Sequence, residues 1–101
     1  MDNFWEKELK DAILNNRSNQ IEHMQYIIKR GVNINWKIPG GMGRTLLFLG
    51  IIHKRFEAVK CLLEAGADPN ISDDFDETPL DKAKTSGLKD FESLLISYGA
   101  K

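Results

Sequence analysis

Four groups of residues in this chain have types that could do chemistry, and each can be tested against the spacing its chemistry requires. Gly40-Gly41-Met42-Gly43-Arg44-Thr45 is glycine-rich and ends on a cation and a hydroxyl, the composition of a loop that cradles phosphate. Such a loop needs G-x-x-x-x-G-K-[ST], so that backbone N–H groups wrap the anion and a lysine reaches it. That register puts Ile38 at the first glycine and Arg44 at the lysine, and no strong strand precedes it. Asp68, Asn70, Ser72, Asp74 and Asp76 alternate like the oxygen ligands of a calcium loop. The sharp-turn glycine of that loop falls on Asp73 and its bidentate glutamate on Pro79, so the motif fails at both essential points. An acidic loop whose charge faces a basic partner is the better reading.

His23 and His53 have no cysteine or carboxylate at ligand spacing, which leaves a zinc site without support. His23 is expected on the solvent side of a helix. Cys61 lies inside the apolar stretch Val59 to Leu63, where a buried small residue is a better reading than a nucleophile. No Ser-His-Asp or paired-carboxylate arrangement stands out. The expectation is therefore a chain that is not an enzyme and holds neither cofactor nor metal.

The elements that would position these residues must come from a small core. A chain of 101 residues is one domain, able to bury about 60–70% of the surface its unfolded form exposes. Fourteen basic residues against fifteen acidic leave a net charge of −1, which gives no electrostatic case for nucleic acid or an anionic membrane. One cysteine carries no signature of an oxidising compartment. The N-terminus, Met1-Asp2-Asn3-Phe4-Trp5-Glu6, lacks the basic segment and apolar core of a signal peptide. Leu46 to Ile52, the longest apolar run, has seven residues, against about 20 for a membrane span. A soluble, cytoplasmic protein is expected.

A recurring phrase organises the chain. Leu62-Leu63-Glu64-Ala65-Gly66-Ala67 and Leu95-Ile96-Ser97-Tyr98-Gly99-Ala100 place their glycines 33 residues apart, and Thr45 and Thr78 keep the same offset. Apolar stripes at helical spacing precede Gly31, Gly66 and Gly99: Ile21, Met24, Ile27, Ile28; Phe56, Val59, Leu62, Leu63; and Phe91, Leu94, Leu95, Tyr98. Each glycine suits the left-handed end of a helix, so the spacing predicts three helix pairs. Thr78-Pro79-Leu80-Asp81 offers a capping threonine, proline at the first helical position and a returning carboxylate, whereas Thr45 keeps the threonine alone. Asn15 to Asn19 reads as a lengthened turn. Gly31 to Gly66 is 35 residues, and the extra two sit in the breaker-rich loop Trp36 to Arg44.

Gly43-Arg44-Thr45-Leu46-Leu47 followed by Val59-Lys60-Cys61-Leu62-Leu63-Glu64-Ala65-Gly66-Ala67-Asp68-Pro69-Asn70 resembles the ankyrin-repeat pattern G-x-T-P-L and V-x-x-L-L-x-x-G-A-D-x-N, at that family's 33-residue period. The resemblance covers nearly the whole chain. Departures are Leu46 for proline, Phe48 and Asp81 for histidine, and Lys54 for the glycine between the helices of the second repeat. It implies an all-α solenoid of helix-turn-helix pairs joined by finger loops, in one domain 1–101, with repeats at about 5–37, 40–72 and 73–101. Lys82, Lys84 and Lys89 stand where Leu49, Ile51 and Phe56 stand one period earlier, and Glu6, Lys7, Lys10 and Asp11 make the first helix polar. Polar outer faces suit terminal caps, so a self-contained array is expected.

The resemblance further implies a non-enzymatic module that binds another protein on a concave face built from first helices and fingers. By repeat position that face includes Trp36, Lys37, Met42, Arg44, Ile52, His53, Asp74, Phe75, Glu77, Thr85 and Ser86. Trp36 with Arg44 nearby reads as an anchor, since aromatic and arginine side chains dominate binding hot spots. The other reading has Trp36 and Phe75 folding back over the stack. Lys37 and Arg44 on the first finger oppose Asp73, Asp74, Asp76 and Glu77 on the second, a polarity suited to partner choice. Two narrower roles remain open: an immunity or inhibitor protein blocking a cognate bacterial toxin, and a self-associating scaffold. The free protein is expected to be a monomer, with no nucleic-acid or membrane partner.

Overall fold

The computed structural model describes residues 3–15 and 18–101; Met1, Asp2, Asn16 and Arg17, on which parts of the N-terminal and first-turn expectations fall, lie outside the described residues. Six helices follow one another: α1 (Phe4–Leu14), α2 (Gln20–Ile28), α3 (Leu46–Ile52), α4 (Phe56–Glu64), α5 (Pro79–Thr85) and α6 (Lys89–Ser97). They pair α1 with α2, α3 with α4 and α5 with α6, and the pairs stack through α1 on α3, α3 on α5 and α2 on α4. This is the expected all-α solenoid. Among the described residues the extended pairing is one antiparallel bridge, Lys37 to Thr45, at the base of the first finger.

Local chemistry sets the helix ends. Thr45 Oγ1 accepts the Phe48 N–H at 3.3 Å. Thr78 Oγ1 accepts the Asp81 N–H at 3.1 Å while Asp81 Oδ2 accepts the Thr78 N–H at 3.0 Å, so α5 starts in the full capping box its sequence predicts. At the C-terminus of α4 the Gly66 N–H reaches Leu63 O and the Ala67 N–H reaches Leu62 O, with Gly66 at φ 98°. The end of α6 repeats this pattern with Gly99 at φ 97°. Both are Schellman ends, which satisfy carbonyls that a helix terminus leaves without partners.

The interior is one continuous apolar cluster running through all three pairs, from Leu9 and Ile13 through Leu46, Ile51 and Leu62 to Leu80 and Leu95. Phe56 and Phe91 meet edge to face at 5.3 Å and join α4 to α6. A Cβ on Gly50 would come within 2.7 Å of Val59 Cγ2, so glycine sets the close approach of α3 to α4. Lys84 and Lys89 are exposed and Lys82 half-buried, whereas the matching Ile51 is fully buried.

One expectation about α1 is corrected. Glu6 is not part of a solvated polar face: it is 9% exposed, and Oε2 accepts the Asn33 N–H at 2.6 Å. A carboxylate on the first helix thus holds the segment leading to the first finger.

Candidate functional site

The two inter-pair loops project as fingers beside the inner helices α1, α3 and α5. In the first, the Ile38 N–H donates to Arg44 O at 2.9 Å and the Gly41 N–H to Ile38 O at 2.9 Å, which turns the chain back at Gly40 to Gly43. In the second, Asp73 is the pivot. Its Oδ1 accepts the N–H groups of Phe75 and Glu77, each at 2.9 Å, and its backbone N–H donates to Glu77 O at 2.9 Å.

The fingers touch. The Asp74 N–H donates to Met42 O at 2.9 Å, and Arg44 Nε lies 3.4 Å from Asp73 Oδ2. Gly43 permits this contact, because its φ is +74° and a Cβ there would run into the Asp74 carboxylate. Met42 and Asp76, next to the contact, take φ 60° and 64°. Left-handed backbone at non-glycine residues persists where the surroundings over-determine it, and it clusters at functional loops. The result is a pair of locked tips with Met42 and Phe75 exposed at 53% and 69%.

Electrostatics within the fingers follow from this geometry. Burial alone would push the Asp73 carboxyl up, but the Glu77 and Phe75 N–H donors and the Arg44 guanidinium outweigh it and hold the group below the usual carboxylate range. The Arg44 guanidinium also stands 5.2 Å from the Phe48 ring centroid. Arg44 and Asp73 therefore engage each other, which corrects the expected polarity. Lys37 remains exposed on the first finger, against exposed Asp74 and Asp76 and half-buried Glu77 on the second.

Trp36 is also corrected as an exposed anchor. It is 7% exposed and belongs to the core cluster, the fold-back reading. Phe75 takes the opposite course.

A hollow of about 370 Å³ opens between the first finger and the inner helices. Met42, Arg44, Ile52 and His53 line it, as do Lys10, Ile38 and Leu49. The structure thus gathers four of the expected residues there and adds Lys10, whose sequence position suits a polar cap. Thr85 and Ser86 lie apart on the exposed end of α5, where the Thr85 hydroxyl reaches Asp81 O at 3.1 Å. His23 is exposed, as expected. Cys61 is buried, and burial followed by the Glu64 charge pushes its thiol up, away from the reactive thiolate. Among the described residues no group of three or more metal-ligating side chains comes together, and no helix is long and apolar enough to cross a membrane.

Comparison with known proteins agrees with this architecture. Mitochondrial disaggregase of Bos taurus is 33% identical over 88 residues, covering 85% of this chain and 13% of that protein. Alpha-latrotoxin-Lg1a of Latrodectus geometricus is 31% identical over 85 residues, covering 83% of this chain and 6% of the toxin. The chain thus spans a small fraction of the length of these relatives. A crystal structure of an ankyrin repeat domain from Acinetobacter baumannii superposes with a TM-score of 0.75 at 31% identity, over 96% of this chain and 47% of that one. Residues 9–101 match the family model of ankyrin repeats in three copies, and the chain belongs to the ankyrin-repeat family.

Proposed function

We propose that this protein is a non-enzymatic binding module that docks a partner protein through its two finger tips and the adjoining inner helices. Ankyrin repeats generally mediate protein–protein interaction, and the fold is typically a non-catalytic one. The observation that carries the reading is the pair Met42 and Phe75. Both side chains are more than half exposed, on tips joined by the Asp74 to Met42 hydrogen bond. Large apolar groups on a preorganised backbone lose little conformational entropy on docking, so they suit a binding anchor.

The test is a pull-down from the source cell with the wild-type chain beside a Met42→Ser, Phe75→Ser double variant, after circular dichroism has shown equal helix content. The double variant is expected to lose the partner that the wild type retains. Equal recovery by both chains sinks the proposal.

A further inference from the structure

The hollow beside the first finger has an apolar floor and an unbalanced rim. Ile38, Met42, Leu49 and Ile52 supply the floor, and Lys10 from α1 and His53 from the end of α3 stand at its edge. No aspartate or glutamate lines it. The finger cation that lines it, Arg44, is already engaged by Asp73 and the Phe48 ring. Lys10 and His53 make no ion pair among the described residues, where the two salt bridges are Arg44 to Asp73 and Lys89 to Glu92. A volume of about 370 Å³ lies at the low end of the roughly 300–1,000 Å³ typical of small-molecule sites, enough for one or two side chains.

We infer that this hollow takes an acidic segment of the partner protein, seating an aliphatic side chain on Ile38, Met42, Leu49 and Ile52 while flanking carboxylates meet Lys10 and His53. The inference rests on the docking reading above. Charge complementarity selects this occupant, because a basic segment would bring its charge against Lys10 in a site with no carboxylate to receive it. The second finger fixes the direction. Asp74, Asp76 and Glu77 repel acidic chain there, so the acidic part of the partner lies at the first finger and a neutral or basic part lies at Phe75.

Two end-capped peptides test this by titration into the isotope-labelled full chain followed by NMR: Glu-Glu-Leu-Leu-Glu-Glu and Lys-Lys-Leu-Leu-Lys-Lys, each to millimolar concentration. The acidic peptide is expected to shift the amides of Gly40, Gly41, Ile52 and His53, more weakly as salt is raised. Lys10→Glu should weaken it about three- to tenfold, and His53→Ala, at an exposed position, serves if Lys10→Glu disturbs the fold. Equal or stronger binding of the basic peptide, or no shift at those amides with either peptide, overturns the inference. If the Met42, Phe75 double variant still loses the partner, such a result removes the acidic-segment inference alone; if that variant keeps the partner, the docking reading falls with it.

Discussion

Asn35 Oδ1 accepts the backbone N–H of Asp68, 33 residues further on, at 2.8 Å. Asn70 Oδ1 accepts the Lys101 N–H at 3.0 Å in the same way, and Asn70 Nδ2 adds a bond to Gly99 O at 3.1 Å. Asn35 and Asn70 therefore each tie their repeat to the next. A side chain accepting from a backbone donor about one period away, 33 residues on for Asn35 and 31 for Asn70, links neighbouring units irrespective of what packs between them.

Asn35→Ala removes one such tie at the boundary between the first and second repeats. The donor it leaves is near water, so the loss is that of an ordinary hydrogen bond, about 1 kcal/mol. For a domain of this size that corresponds to a fall of about 4–8 °C in melting temperature. Thermal denaturation checks this, and a variant melting with the wild type would show that the bond does not hold the repeats.

Asp73→Asn separates the charge of the pivot from its geometry. Asparagine still offers an Oδ1 to the Phe75 and Glu77 N–H groups but loses the carboxylate that faces Arg44. In the native chain the Asp73 carboxyl sits below its usual range, so the fold binds fewer protons there than the unfolded chain. That stability is fully present above the unfolded value of about 3.9 and is lost as pH falls through the lower folded value. Urea midpoints from pH 7 to pH 2 should fall more steeply for the wild type than for Asp73→Asn. Parallel curves would remove the charge from the account.

What could be read along the chain was whatever depends on near neighbours. Thr78, Pro79 and Asp81 form their capping box within four residues, and Gly66 and Gly99 close their own helices. Side chains whose partners lie far along the chain were not legible. Trp36 sits among loop formers and reads as exposed, yet its surroundings are a core assembled from helices of different pairs. Glu6 reads as surface because its acceptor role concerns Asn33, 27 residues away, and Arg44 meets Asp73 across 29 residues. Lys10 reads as part of a polar cap rather than of the inner face because the first repeat has no threonine landmark with which to carry the 33-residue register back onto α1.

Lys54 occupies the position where the family has glycine, and it takes φ 57°. The end of α3 is nevertheless a Schellman end, with the Lys54 N–H on Ile51 O at 3.0 Å and the Arg55 N–H on Gly50 O at 2.9 Å. The second repeat thus keeps the geometry with a residue that is strained there, at about 1–2 kcal/mol. Lys54→Gly should raise stability by about 0.5–1 kcal/mol despite the added freedom of the unfolded chain. A lower urea midpoint than wild type would contradict this.

Arg55, the next residue, closes α1 from the second repeat. Its Nε and Nη2 donate to Ile13 O at 3.3 Å and Leu14 O at 3.1 Å, while Gln20 Nε2 donates to Ala12 O and Ile13 O at 3.0 Å each. The last turn of α1 contains no basic residue of its own, and Asn15 after it is extended rather than left-handed, so these carbonyls depend on side chains from elsewhere. Arg55→Ala should therefore cost about 1–2 kcal/mol and fray α1 first. Hydrogen exchange should speed at Leu9 and Ile13 by tenfold or more while α5 amides keep their protection, and uniform loss or no change would refute a local role. Because α1 carries Lys10, the same variant should also weaken the acidic peptide at the hollow without any change in the residues that line it. On this prediction an arginine that does not line the hollow acts on it through the end of a helix.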